Sequence, residues 1–414
     1  MLKNIQQKSL TFFIGLIFLF PILKENIASL IIILLCVFVL TSKNRVKHTR
    51  FLQPKTFFLT VPFYIILINT LIFSGFKSTY SHAQHALLFI AIPMIFNIIP
   101  IENFNKKKIN LYFNIIKNVC LLIAIIYVIS YLYNVPSWQF NVVFNNESRF
   151  RNHIYNDFNL FVIHPSYYTT ILIFCAAQSF DLVLREKKYL QLIYVVVFLA
   201  ITLMLLTKLN LVLMVAELTL MIFIRSFYQI KTKLILVFSM ISLICTFAFF
   251  TPGIKERFIE IYKSFGVKPA NAAYDSTNVR KAIFDSSINI IKDNWITGVG
   301  FDNLQDELNK KYKENYDSSF FKEHNYMTHN YYFYILISSG IFGFLFYLYY
   351  LATIIKICLK SNIFLFKLFV INALIICFVE DYFYRQYGAL FFNLVLMCFI
   401  IHQETIDNEI VSIN

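Results

Sequence analysis

Leu190–Leu206 reads LQLIYVVVFLAITLMLL, a run without a single charged side chain. A second such block, LILVFSMISLICTFAFF, fills Leu234–Phe250. Helices of about 17 to 25 apolar residues span the hydrocarbon core of a bilayer. Membrane β-strands are shorter and alternate apolar with polar residues, and these blocks do not alternate. The blocks therefore predict an all-α, polytopic membrane protein.

The rest of the chain agrees. Hydrophobic residues make up 58% and charged residues 14% of the 414 positions, and the mean hydropathy is +0.63. Soluble domains carry roughly 25% charged residues, so there is too little charge here to coat a water-soluble globule. The net charge of +14 does not imply a nucleic-acid partner, because that reading needs a basic face on a soluble fold. Charge at helix ends is instead a signature of membrane topology. The seven cysteines all lie inside apolar spans and read as small buried hydrophobes. The first apolar stretch, from Leu10 to about Leu23, lacks a small-x-small cleavage site and reads as a retained helix.

Apolar segments near 10–23, 26–41, 56–74, 84–100, 111–133, 164–180, 190–206, 209–225, 234–251, 329–355, 361–379 and 388–402 predict about twelve transmembrane helices in one integral membrane domain covering 1–414. Alternate connections are basic. Lys43/Arg45/Lys47/Arg50/Lys55, Lys106/Lys107/Lys108, Arg185/Lys187/Lys188, Arg225/Lys231/Lys233 and Lys356/Lys360 belong in the cytoplasm by the positive-inside rule. The long hydrophilic loop 252–328, between the ninth and tenth spans, then faces away from the cytoplasm. Within it Ile254, Phe258, Ile261 and Phe265 recur at helical spacing, as do Phe301, Leu304, Leu308 and Tyr312. Short amphipathic helices against the membrane surface fit this pattern. Gly298-Val299-Gly300 reads as a turn between them. No internal repeat is visible, so an inverted-repeat transporter gains no support.

Candidate chemistry clusters at the outer ends of the spans. His329-Asn330 opens the tenth span ahead of Tyr331-Tyr332-Phe333-Tyr334 and Ser338-Ser339-Gly340. Histidine, with an unperturbed pKa of about 6.5, suits a general base near neutral pH; the bland alternative is a His-Asn helix cap. His324 reads as a solvated loop residue. Arg280 lies early in the long loop. Lys208 sits where Thr207-Lys208-Leu209-Asn210 separates two spans with almost no loop, and there it either snorkels or binds an anion. A lysine and an arginine converging on one cavity would suit a lipid-linked diphosphate. Glu217, inside the eighth span, is either functional or a structural partner for Lys117 or another buried donor. Pro165 in His164-Pro165-Ser166-Tyr167 is routine at a helix start, which leaves the histidine unexplained. Glu380, Asp381 and Arg385, before the last span, either pair with one another or line the same cavity. No Asp-x-Asp, His-Glu-x-x-His, cysteine cluster or P-loop occurs, so neither a metal nor a nucleotide cofactor is indicated.

Taken together, Arg280 through Tyr347, with Trp295-Ile296-Thr297-Gly298-Val299-Gly300 and Thr328-His329-Asn330-Tyr331, resembles the O-antigen ligase / O-antigen polymerase superfamily of bacterial envelope glycosyltransferases. Thr207-Lys208 is similar to the Ser-Arg of many members; the lysine keeps the charge but loses the bidentate fork. His164-Pro165-Ser166-Tyr167 looks like a motif of polymerase-like members. The resemblance implies an enzyme of the bacterial inner membrane with its active site facing the periplasm. Its donor would be a glycan on undecaprenyl diphosphate and its acceptor a hydroxyl of lipid A-core. Transfer would be inverting and independent of metal, with Arg280 and Lys208 on the diphosphate, His329 as base and Asn330 orienting it. His164, Tyr167 and Glu380 would line the substrate site. A repeat-unit polymerase of the same superfamily is the first alternative, and a transporter or flippase without bond chemistry the second.

Overall fold

The computed structural model describes residues 2–41, 54–134, 149–226 apart from 159 and 162, 229–250, 276–316, 321 and 324–413, with the isolated positions 259 and 262. Among them there are helices and no strand. In chain order the helices are α1 (Leu2–Ile17), α2 (Glu25–Thr41), α3 (Pro54–Leu59), α4 (Val61–Ala86), α5 (Leu88–Ile98), α6 (Lys106–Asn134), α7 (Arg149–Asn152), α8 (Pro165–Glu186), α9 (Leu192–Met204), α10 (Lys208–Arg225), α11 (Ile230–Phe250), α12 (Ser276–Asn294), α13 (Leu304–Asn315), α14 (Tyr331–Lys360), α15 (Phe364–Ile376) and α16 (Gln386–Ile413). The chain is thus an all-helical, multi-pass membrane protein.

Among the described residues, 4 helices are long and apolar enough to cross a bilayer alone: α6, α8, α14 and α16. Glu25–Thr41, Val61–Ser74, Leu88–Ile98, Tyr189–Met204 and Phe364–Ile376 are shorter apolar helices. The shortening has local causes. The apolar run beginning at Leu10 leaves the α-helix at Ile17 and continues as a 3-10 turn over Phe20–Ile22, which contains Pro21; proline removes an amide donor and breaks the ladder. The run after Tyr189 begins with a 3-10 turn and stops at Met204, just before Leu206 takes a left-handed conformation at φ 51. Lys187, left-handed at φ 54, ends α8 in the same way.

The helical spacing expected around Ile254, Phe258, Ile261 and Phe265 lies outside the described residues, as does the basic segment 42–53. The second expected loop helix is present as α13, which buries Leu304, Leu308 and Tyr312 at the anticipated spacing. α12 precedes it.

The chain groups into two compact units. The first comprises Met1–Leu10, Cys36–Lys106 and Glu260–Asn414. Here α14 packs on α4 and α12, α12 packs on α13, and α16 packs on α5. Its core is aromatic: the ring centroids of Tyr331 lie 5.2 Å from Phe383 and 5.6 Å from Tyr347. The second unit comprises Thr11–Leu35 and Lys107–Ile259. Here α8 is buried along most of its length between α9 and α10, and the Tyr168 hydroxyl donates to the Cys120 carbonyl of α6 at 2.6 Å.

Candidate active site

The first unit brings four of the expected site residues, Arg280, His329, Asn330 and Glu380, together where α14 begins. Asn330 is the N-cap of α14. Its backbone is extended (φ −157, ψ 107), and its side-chain oxygen accepts from the amides of Tyr332 at 3.0 Å and Phe333 at 3.1 Å. Two of the orphan donors at the helix start are satisfied in this way. His329 stands just outside the helix, left-handed at φ 44. That conformation is uncommon for a residue with a Cβ, and the surrounding contacts must hold it.

Asp381 holds it. One carboxylate oxygen of Asp381 accepts from the Thr328 hydroxyl and from the Asn330 amide at 3.2 Å; the other accepts from the His329 amide at 2.8 Å. The Tyr331 amide donates to the Cys377 carbonyl at 2.8 Å. The turn between α15 and α16 is therefore stitched to the entrance of α14. Asp381 is buried, and burial pushes its carboxyl above the ordinary value against the opposing hydrogen bonds from Thr328 and His329.

Glu380, one residue earlier, reaches in two directions. One carboxylate oxygen lies 3.6 Å from an Arg280 guanidinium nitrogen and the other 3.7 Å from Nδ1 of His329. Arg280, Glu380 and His329 thus form one row, with the acid in the middle. Arg280 is half exposed and His329 about a third exposed, at 52% and 36%. Nδ1 of His329 has no hydrogen-bond partner among the described residues. This corner combines a cation, an accessible imidazole and a carboxylate close enough to steer that imidazole. Glu380 is itself anionic, so direct contact with a phosphate would be repulsive, and its position suits orienting the histidine. Of the two readings for Arg385, pairing with Glu380 and Asp381 does not occur: among the described residues it makes no ion pair with either, and its side chain is exposed.

The loop is anchored farther along α14. Gly298 and Gly300 are both left-handed, at φ 72 and φ 88; the expected turn falls on either side of Gly298-Val299-Gly300, at 295–297 and 301–303, and the segment between is the one whose amides bond to α14. The expected single helix across 329–355 is broken inside α14, where Gly340 adopts φ 64, ψ −169. Only glycine takes that conformation readily. A Cβ on Gly298 would fall 2.5 Å from the Ser338 carbonyl oxygen, and one on Gly340 would overlap the Ile296 carbonyl. The two glycines let the backbones meet.

In the second unit, His164, Tyr167 and the start of α10 are neighbours. Nδ1 of His164 accepts from the Ser166 amide at 3.2 Å, so His164 is the N-cap of α8; this supplies a structural reason for the histidine before Pro165. The ring of Tyr167, a buried residue, stands 6.1 Å from that of His164. Lys208 is the first residue of α10. Two positions on, the buried Asn210 amide donates to the Ser166 carbonyl at 2.9 Å and to the hydroxyls of Thr169 at 2.6 Å and Thr170 at 3.2 Å. One side chain therefore ties the Thr207-Lys208 turn to the His-Pro-Ser-Tyr turn. Lys117 does not pair with Glu217. It donates to the Gln191 side chain at 2.7 Å and lies 4.8 Å from the Tyr194 ring centroid. His324, in the first unit, is exposed, as expected.

Residues 182–348 match the family model described as O-antigen ligase. The match supports the O-antigen ligase superfamily. The matched segment contains Lys208, Arg280, His329 and Asn330, the Trp295–Gly300 turn and the Gly340 break; His164, Glu380 and Asp381 lie outside it. Members of this family are ligases or polymerases of glycosyltransferase type, so an enzymatic role is supported with it. No curated protein matches the chain.

The sequence reading named Glu380 as a site residue but gave Asp381 no separate role. A lone acid in a short turn carries no periodic signal, and its purpose emerges only when 328–330 folds back onto it.

Proposed function

We propose that this chain is an O-antigen ligase-like glycosyltransferase of the bacterial inner membrane. It would move a glycan from undecaprenyl diphosphate to an acceptor hydroxyl of lipid A-core on the periplasmic face. The observation that carries the reading is the Arg280–Glu380–His329 row at the start of α14, with its cation and its base both inside the segment matched to the family.

In this scheme the acceptor oxygen attacks the anomeric carbon opposite the diphosphate. The new carbon–oxygen bond forms as the bond to the diphosphate oxygen breaks, and the anomeric centre inverts. His329 takes the acceptor's proton, and the leaving diphosphate keeps the electron pair of the broken bond. Arg280 stabilises the charge that grows on it. Glu380 holds the imidazole and favours the charged imidazolium that forms, while Asn330 and Asp381 fix the backbone that presents it. An activated donor needs neither ATP nor a metal.

The test is transfer by the purified full-length chain in liposomes, with undecaprenyl-diphosphate-linked glycan and lipid A-core. Product should form in the presence of a chelator, and His329→Ala should abolish it. A strict divalent-metal requirement would overturn the metal-free scheme. Undiminished transfer by His329→Ala would overturn the catalytic assignment. Ligase and polymerase separate in a deletion strain: loss of a ligase strands long glycan on the carrier, and loss of a polymerase leaves single repeats on the lipid.

A further inference from the structure

We infer that Asn69, on α4, is a positioning residue for the reaction proposed above: it locks the loop that carries Arg280 onto the broken helix that carries His329. The inference rests on that reading of the site, and everything it uses lies within the first unit.

Where Gly340 leaves helical geometry, the hydrogen-bond ladder of α14 is interrupted, and loop backbone takes its place. The Val299 amide donates to the Ile337 carbonyl at 2.8 Å, the Gly300 amide to the Ser338 carbonyl at 2.9 Å, and the Ile341 amide to the Trp295 carbonyl at 2.8 Å. Asn69 closes this arrangement from the opposite side. Its side-chain nitrogen donates to the Ser338 carbonyl at 3.1 Å, and its side-chain oxygen accepts from the Phe301 amide at 3.3 Å. Asn69 is buried, and its amide can donate to one backbone and accept from the other at once. One helical turn along α4, on the same face, Phe73 packs against Gly300: a Cβ there would come within 2.9 Å of the Phe73 Cβ. Two residues of α4 thus clamp the segment that follows the turn.

The clamp matters because α12, which carries Arg280, enters this turn directly through Asn294 and Trp295. The contact between Arg280 and Glu380 is a long ion pair whose arginine is half exposed, and such pairs contribute little to holding elements together. The buried amide between Ser338 and Phe301 is the stronger restraint. It makes the loop a fixed arm, with Arg280 set at one end and His329 at the start of the helix it grips.

The test uses full-length protein in nanodiscs. Asn69→Leu keeps the volume and removes both hydrogen bonds, whereas Asn69→Asp keeps the acceptor for Phe301 and loses the donor to Ser338. Peptide-resolved hydrogen exchange should show the 295–301 segment exchanging at least tenfold faster in Asn69→Leu, with α16 unchanged and Asn69→Asp intermediate. Transfer from lipid-linked donor should lose roughly tenfold in kcat with little change in donor KM, because Arg280 acts on the leaving group in the transition state. Unchanged exchange over 295–301 in both variants overturns the inference, whatever the activity. Accelerated exchange throughout the first unit in both variants also overturns it, since Asn69 would then serve general stability. If exchange rises locally while transfer is unaffected and His329→Ala is inactive, the clamp exists but the positioning role fails. Full activity in His329→Ala sinks the proposed function itself, and the positioning role with it.

Discussion

Among the described residues, His164 and His329 stand at the starts of two long helices, and they do opposite things. In the second unit His164 is itself the cap: Nδ1 accepts from the Ser166 amide, and Pro165 between them has no amide to satisfy. In the first unit the cap is the neighbouring Asn330, whose side chain takes the Tyr332 and Phe333 amides. His329 is displaced one residue out of the helix, with Nδ1 unengaged by any hydrogen bond among the described residues and the Glu380 carboxylate 3.7 Å away. A nitrogen that holds a backbone amide is committed to structure; His329 caps nothing, its Nδ1 is buried beside the Glu380 carboxylate, and its ring is about a third exposed. The contrast teaches that the residue following the histidine decides which duty it has.

The comparison is sharpened most by removing each imidazole. His329→Ala should lower transfer by about 10²- to 10⁴-fold, the range for loss of a general base, whereas His164→Ala should cost at most a few-fold; initial rates with lipid-linked donor measure both. Equal losses would break the distinction. Next in size is Gly340→Ala in α14. Conformational strain alone costs about 1–3 kcal/mol, and overlap with Ile296 adds to it, so a clear drop in the thermal midpoint in detergent is expected. Asn210→Leu in the second unit should destabilise by about 1–3 kcal/mol, since it removes a buried donor to Ser166, Thr169 and Thr170; the same melting assay reads it. Asn330→Ala removes the α14 cap and should cost about 1 kcal/mol, with a loss of transfer beyond what that destabilisation explains. The smallest effect concerns pH. Burial raises the Asp381 carboxyl above its unfolded value, so its contribution to stability is fully present below the ordinary carboxylate range and is lost as pH rises through the higher folded value. Asp381→Asn cannot titrate, and its thermal midpoint should depend less on pH across that window.

Much of this was legible in the sequence, for reasons that differ between elements. Uncharged runs such as Leu190–Leu206 announce helices because their composition permits little else in a bilayer. The spacing of Leu304, Leu308 and Tyr312 announced the buried face of α13, whereas the turn expected at the two glycines around Val299 falls on either side of them. Arg280, Glu380 and His329 were each singled out one by one, and folding brought them into a row. The break at Gly340 was not legible, because Ser338-Ser339-Gly340 within an apolar run reads equally well as close packing in a straight helix. The segment after Trp295, distant in sequence, supplies the hydrogen bonds that make a break tolerable. Asn69 escaped for the same reason: a single amide in an apolar span looks like an isolated polar residue until both of its partners are known. His164 was noticed, but its capping role depends on a side-chain rotamer that spacing does not encode.

The left-handed backbone at His329 also bears on how an inactive form of the protein should be made. Asparagine and glycine enter that region far more easily than alanine or any branched residue, so His329→Asn or His329→Gly should leave the Asp381 clasp and the α14 entrance undisturbed while removing the base. Such a variant would keep Arg280 and the fixed arm intact. It is the natural starting point for capturing donor and acceptor side by side, unreacted.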